Sequence, residues 1–222
     1  MFDDVLTEST DRIMQSTILL NQIRNLEKDA GSSSLDLIKI QKGLLFVSFY
    51  ASVEFTVTNC CSTFLAILQD KEYIPIKYKK NILCILLDPE FKSVIDSGKK
   101  NTWKRKEALI SGIFSENKPF IDNTVFPADG TNIGLTQLKD VWNFLHIPGP
   151  VIPDGESEWY LQDIKEHRNA IAHGRMKASE VGQRYTLTEL EKRHNFVNML
   201  CGHIVESFSS HVKNEGFLKP VL

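Results

Sequence analysis

Apolar residues between positions 4 and 29 recur as Val5, Ile13, Leu20 and Ile23 with mostly polar residues between them, a spacing that predicts an amphipathic helix. "AGSSS" (30 to 34) reads as a loop, with Ser34 as N-cap of a second helix running from Leu35 to about Gln69. The centre of that helix, "GLLFVSFYASVEFTVTNCCSTFLAIL" (43 to 68), is apolar nearly all round. It is long enough to span a bilayer, but Glu54, Asn59 and scattered Ser and Thr interrupt it. The central helix of a bundle has the same pattern, so a buried helix and no membrane partner are expected.

Pro75, Pro89 and "DSGKKN" (96 to 101) divide the next section into short helices, with one more expected over 102 to 115. Residues 116 to 134 read as loop, and "LTQLKDVWNFL" (135 to 145) as a short helix. "HIPGPVIPDGE" (146 to 156) holds three prolines and two glycines and excludes regular structure. Two strong helices follow. One runs from about Ser157 to His173. The other starts near Thr188, where "TELE" offers a Thr-x-x-Glu capping box, and reaches about His211. No repeat, low-complexity tract or strand pattern is present. The expected fold is all-α, a helical bundle with an irregular, loop-rich middle. It forms one domain over residues 1 to 222, in which the helices of 4 to 69 complete a core at roughly 135 to 211.

Composition changes this picture little. The 222 residues are 42% apolar and 24% charged, with a net charge of −2, as in an ordinary soluble globular protein. The distribution says more, because residues 71 to 106 hold ten Lys/Arg against four Asp/Glu, a local +6 that leaves −8 elsewhere. Such a region reads first as a solubilising surface, and it also permits an anionic partner. Cys60, Cys61, Cys84 and Cys201 form no C-x-x-C and read as buried free thiols of a reducing compartment. The acidic start "MFDDVLTEST" does not resemble a signal peptide, and a cytoplasmic location is expected.

The chemistry concentrates in "EHRNAIAHGR" (166 to 175). On a helical wheel Tyr160, Ile164, His167 and Ile171 share one narrow sector, the expected core stripe, which makes His167 a packed core histidine. Glu166, Asn169 and His173 gather on the other side, and Arg168 falls between the faces. Gly174 is a natural C′ residue, which places His173 in the last turn, at the negative end of the helix dipole. Arg and His near a helix end can bind an anionic phosphodiester, or simply satisfy the last carbonyls.

"EHRNAIAHG" resembles the R-x4-6-H signature of the HEPN superfamily (higher eukaryote and prokaryote nucleotide-binding). Arg168 and His173 stand at R-x4-H spacing, and Asn169 supplies the polar residue that often follows the arginine. The preceding "TNIGLTQLKDVWNFLHI" and the long apolar helix interrupted by Glu54 are similar to toxin-like and defence-associated HEPN branches. The close likeness covers roughly residues 135 to 205.

That resemblance implies a metal-independent endoribonuclease without cofactor, acting on RNA as a homodimer, with an antitoxin or defence-system partner. It also implies the roles. His173 of two copies would serve as base and acid, Arg168 would hold the phosphate, Asn169 would orient His173 or bind a ribose or phosphate oxygen, and Glu166 would support Arg168 or the facing histidine. Two other classes stay open: a non-catalytic HEPN module that binds RNA or nucleotide or dimerises for a partner, and a plain helical scaffold. Other chemistries find no support. There is no Gly-rich phosphate loop, no H-E-x-x-H, no paired Cys ligands and no G-x-S-x-G, and Asp122, Asp129 and Asp154 lack calcium-loop spacing. His167 and His173, six apart, point to different sides of a helix and make no metal pair.

Overall fold

The computed structural model describes residues 1–28, 35–122, 124 and 132–220. Among the described residues the chain is all-α. It forms α1 (Asp3–Lys28), α2 (Leu35–Asp70), α3 (Lys80–Leu86), α4 (Asp88–Ile95), α5 (Thr102–Ile113), α6 (Leu135–Leu145), α7 (Glu158–Ala172), α8 (Ala178–Gly182) and α9 (Leu187–Lys213). A 3-10 turn occupies Pro75–Lys77, and an isolated antiparallel bridge joins Tyr78 to Leu218. The expected Ser34 cap, the "AGSSS" loop and most of 123–131 lie outside the described residues.

Helix ends fall where turn chemistry puts them, with two differences from expectation. The capping box of α9 is Thr186 with Glu189, two residues upstream of "TELE". The Glu189 amide donates to Thr186 Oγ1 at 3.3 Å, and the Thr186 amide donates to Glu189 Oε2 at 2.7 Å. The segment "TLTELE" holds two overlapping Thr-x-x-Glu sets, and spacing alone does not separate them. The second difference is α8, whose five residues are too short to carry a period that a sequence pattern could show.

The chain divides into two compact units. The first comprises Met1–Asn59, Thr131–Lys139 and Pro150–Glu206. Here α1 buries Val5, Ser9, Ile13, Ser16, Leu20 and Ile23, so serines occupy two core positions of the stripe. They sit there because hydroxyls face hydroxyls: Ser9 Oγ lies 2.8 Å from Thr56 Oγ1, and Ser16 Oγ 2.7 Å from Ser48 Oγ. Leu45, Phe46, Phe49, Tyr50 and Val53 of α2 are fully enclosed, as the central-helix reading predicts. Among the described residues α2 is the helix long and apolar enough to cross a membrane, and more than half of its apolar stretch is buried within the protein.

Two glycines let α8 lie directly on α2. A Cβ on Gly43 would stand 2.0 Å from the Ala178 carbonyl oxygen, and one on Gly182 would stand 1.9 Å from that of Lys39. No side chain fits either gap. Lys42 closes the junction by donating to the Tyr185 carbonyl at 3.2 Å and pairing with Glu27. The turn after α8 thereby carries Tyr185 to α7.

The second unit comprises Cys60–Gly130, Asp140–Gly149 and Ser207–Leu222, and holds the whole basic stretch of 71 to 106. Pro75 opens the 3-10 turn and Pro89 lies in the first turn of α4, where a missing amide hydrogen costs nothing. Phe64, Phe208 and Phe217 pack edge to face, with the His211 imidazole stacked on Phe64 at 5.8 Å. Cys60, Cys61 and Cys201 are buried free thiols as expected, whereas Cys84 is exposed.

His211 gives the fold a pH dependence. Burial, reinforced by the charges of Lys79 and His146, pushes its pKa down to about 4. Below the ordinary histidine value of about 6.5 the unfolded chain takes up a proton that the native imidazole refuses. Its contribution is therefore complete above that value and is lost as the pH falls toward 4. Urea unfolding should lose about 2 kcal/mol between pH 6.5 and 5, and the His211→Phe chain should show a visibly flatter profile. Equal slopes in the two proteins would refute the assignment.

Candidate active site

The sequence makes α7 end at a left-handed glycine, and the backbone does so. Gly174 has φ +67°, its amide donates to Ile171, and the Arg175 amide donates to Ala170, the paired bonds of a Schellman cap. His173 is the C-cap residue, with its amide bonded to the Asn169 carbonyl. Its imidazole is exposed. The helix start is fixed by Ser157, whose Oγ accepts from the Trp159 amide at 3.4 Å.

The packed face of α7 is turned relative to the expected stripe. Leu161, Asp163 and Ile164 are its buried residues, while Tyr160 and Ile171 are only half-buried. The cause is a polar residue that counting apolar positions passes over. Asp163 Oδ2 accepts from Arg193 Nε of α9 at 2.7 Å, and its Oδ1 accepts from the Tyr185 hydroxyl at 3.0 Å. His167 Nε2 lies 2.6 Å from that hydroxyl, so this histidine is a packed, bonded core residue as expected. Burial pushes Asp163 up, but bonds from His167, Arg193 and Tyr185 outweigh it and hold the carboxyl below the usual range. Burial and the Asp163 charge push the Tyr185 hydroxyl up to about 12.

Arg168, expected at the edge of the core, reaches across to α2. Its guanidinium carbon lies 4.3 Å from the centre of the Tyr50 ring, and Nη2 pairs with Glu54 Oε2 at 3.5 Å. Nη1 donates to Asn169 Oδ1 at 2.8 Å and to Asn132 Oδ1 at 3.3 Å. Asn132, just before α6, has φ +70°, a left-handed conformation that asparagine tolerates better than most residues. Burial, with the Glu54 charge added, pushes the Tyr50 hydroxyl up to about 12, so the arginine stacks on a neutral phenol.

Within one chain the carboxylate at Arg168 is Glu54, while Glu166, exposed and two residues before Arg168, accepts from Gln162 at 2.7 Å. The Asn169 amide oxygen steers Arg168, leaving the His173 ring without a bond from it. The residues that sequence reasoning passed over are Glu54, Tyr50 and Asn132. The lone acid inside an apolar helix is the signal for the first. Arg168, Asn169 and Glu54 are thus brought together, while His173, five residues on, points about 140° away around an ideal helix.

The all-α fold around an apolar central helix is that of a HEPN domain. The chain belongs to the MAE_28990-like HEPN family, which it matches over residues 11–217, a span that includes parts of both compact units. No protein of curated function and no solved structure matches it. HEPN domains are often ribonucleases or nucleotide-related proteins.

Proposed function

We propose that this protein is an endoribonuclease that cleaves RNA by attack of the 2′-OH on the adjacent phosphorus, serving as a toxin or antiviral effector. The observation that carries the reading is an exposed His173 at the end of the helix that also bears Arg168, held ready by Asn169, Asn132 and Glu54. The 2′-OH must lose a proton, the leaving 5′-oxygen must gain one, and the crowded phosphorane needs positive charge. His173 supplies the proton transfers and Arg168 the permanent charge, so the chemistry uses no metal or cofactor. Asn169 positions the guanidinium. Glu166, exposed and bonded to Gln162, supports the facing histidine of a second copy.

One His173 cannot easily serve as base and acid in one step. Its direction away from Arg168 adds to the case for two copies, each supplying a histidine to a shared cleft. The active species is expected to be a homodimer at micromolar concentration by light scattering. A monomer with full activity would remove that part of the reading.

One observation favours the second reading, a module that binds RNA or nucleotide without cutting it. Two Arg168 nitrogens already meet partners within the chain, as in a purely structural arginine. Incubating a labelled single strand with the protein in EDTA decides between the two. The enzyme yields fragments ending in a 2′,3′-cyclic phosphate and a free 5′-OH, and the binding module leaves the strand whole.

A further inference from the structure

Helices α4 and α5 contain no buried residue. On the outer side of α5 Trp103 is 78% exposed, Ile110 53% and Phe114 68%. Within four residues of Trp103 in the chain are Lys99, Lys100, Lys104, Arg105 and Lys106, with no acid between residues 97 and 106. None of these five forms an ion pair among the described residues, whereas the neighbouring Lys92 and Lys118 pair with Asp88 and Glu72. Lys106 Nζ lies 4.7 Å from the centre of the Trp103 ring.

We propose that this patch binds single-stranded RNA, with a base stacked on Trp103 and the flanking phosphates held by the surrounding lysines. A dense set of unneutralised cations calls for a repeating anion, and an open indole among them calls for a flat π face. One residue selects among anionic partners. Glu107 lies on the same side of α5 as Trp103, Ile110 and Phe114, by its spacing of four and three residues from the first two. Seating that side in a bilayer or an apolar protein groove would strip water from its carboxylate. A strand stacked on Trp103 leaves Glu107 in water. A duplex hides its base faces, so only the lysines would engage it.

This inference rests on RNA as the substrate proposed above. It is tested on a strand that cannot be cut, so the two readings fail separately. The probe is a fluorescein-labelled 12-nucleotide 2′-fluoro-uridine strand, titrated into the full chain at several salt concentrations. Trp103→Ala is expected to weaken binding about tenfold, with the melting temperature unchanged because the indole is exposed. The triple variant Lys99→Glu, Lys100→Glu, Lys104→Glu should weaken binding further. It should also flatten the salt slope by about 0.7 for each phosphate that the lysines no longer neutralise.

If both patch variants bind with unchanged affinity and slope, the patch is not the RNA site, whatever the cleavage assays give. A 12-base-pair duplex that binds as tightly as the single strand, without dependence on Trp103, also overturns it. So does Trp103-dependent binding to phosphatidylserine vesicles by a chain that ignores the strand. Loss of binding in the patch variants alongside full cleavage by His173→Ala would uphold the patch and remove the catalytic assignment.

Discussion

His173→Ala is expected to lower RNA cleavage by about 10²–10⁴, the usual loss when a positioned acid–base group is removed. The imidazole is exposed at a helix cap and supports no packing, so the variant should melt as the parent does and keep its oligomeric state. Arg168→Ala should cost a comparable factor, roughly 10²–10³, through lost charge stabilisation. It should also cost some stability, because its guanidinium covers the Tyr50 ring and neutralises Glu54. A cation stacked in this way contributes roughly 0.5–2 kcal/mol. Arg168→Lys keeps the charge but not the fork of donors, and should recover stability better than rate. Single-turnover cleavage in EDTA, beside thermal melting, separates the two effects. A folded, dimeric His173→Ala protein with undiminished activity would reduce "EHRNAIAHGR" to a capped helix end.

What the sequence reveals of this site is its chemistry along one helix. Arg168, Asn169, His173 and the Gly174 stop are adjacent in the chain, and helical spacing with turn rules suffices to arrange them. The partners of Arg168 are different in kind. Glu54 is more than a hundred residues away, and Asn132 lies 36 residues before Arg168 in a segment with no period that a sequence pattern could show. Glu54 is visible as an anomaly, an acid in an otherwise apolar helix, yet its partner depends on how α7 crosses α2. Glu166 is the better candidate by nearness in sequence, but on a helix its neighbour is Gln162, one turn back.

The fold divides along a similar line. Long helices with apolar periods, and breaks at Pro75, Pro89 and residues 146 to 156, are legible because periodicity and turn residues are local properties. Core positions held by polar groups are not. Ser9 and Ser16 look like solvent-facing residues until their partners on α2 are known. The α8 segment is legible only through Gly43 and Gly182, whose missing side chains meet opposite backbones in three dimensions. The division into two compact units is equally hidden, because α2, α6 and α9 contribute residues to both.

The largest stability effect is expected at Arg193. Its side chain is 4% exposed, bonded to Asp163 and, through Nη1, to the Glu189 carbonyl at 2.9 Å. Rings of Tyr185, Trp159, Tyr160 and Phe46 surround the guanidinium at 4.4 to 5.8 Å. Arg193→Ala removes the cation and leaves the Asp163 carboxylate, 10% exposed, without the charge that faces it. Breaking a buried pair from one side costs about 3–5 kcal/mol. Asp163 responds by taking up a proton more readily, so part of the loss is recovered as the pH falls. The parent behaves oppositely, since the depressed Asp163 contributes stability above its ordinary range that is lost on acidification. Arg193→Ala should therefore unfold at much lower urea at pH 7, with the gap to the parent narrowing toward pH 4. Replacing both partners, Arg193→Met with Asp163→Leu, should cost much less than Arg193→Ala alone, because no charge is then stranded. A double variant as unstable as the single one would mean that the arginine acts through its aromatic neighbours, and that its charge is incidental.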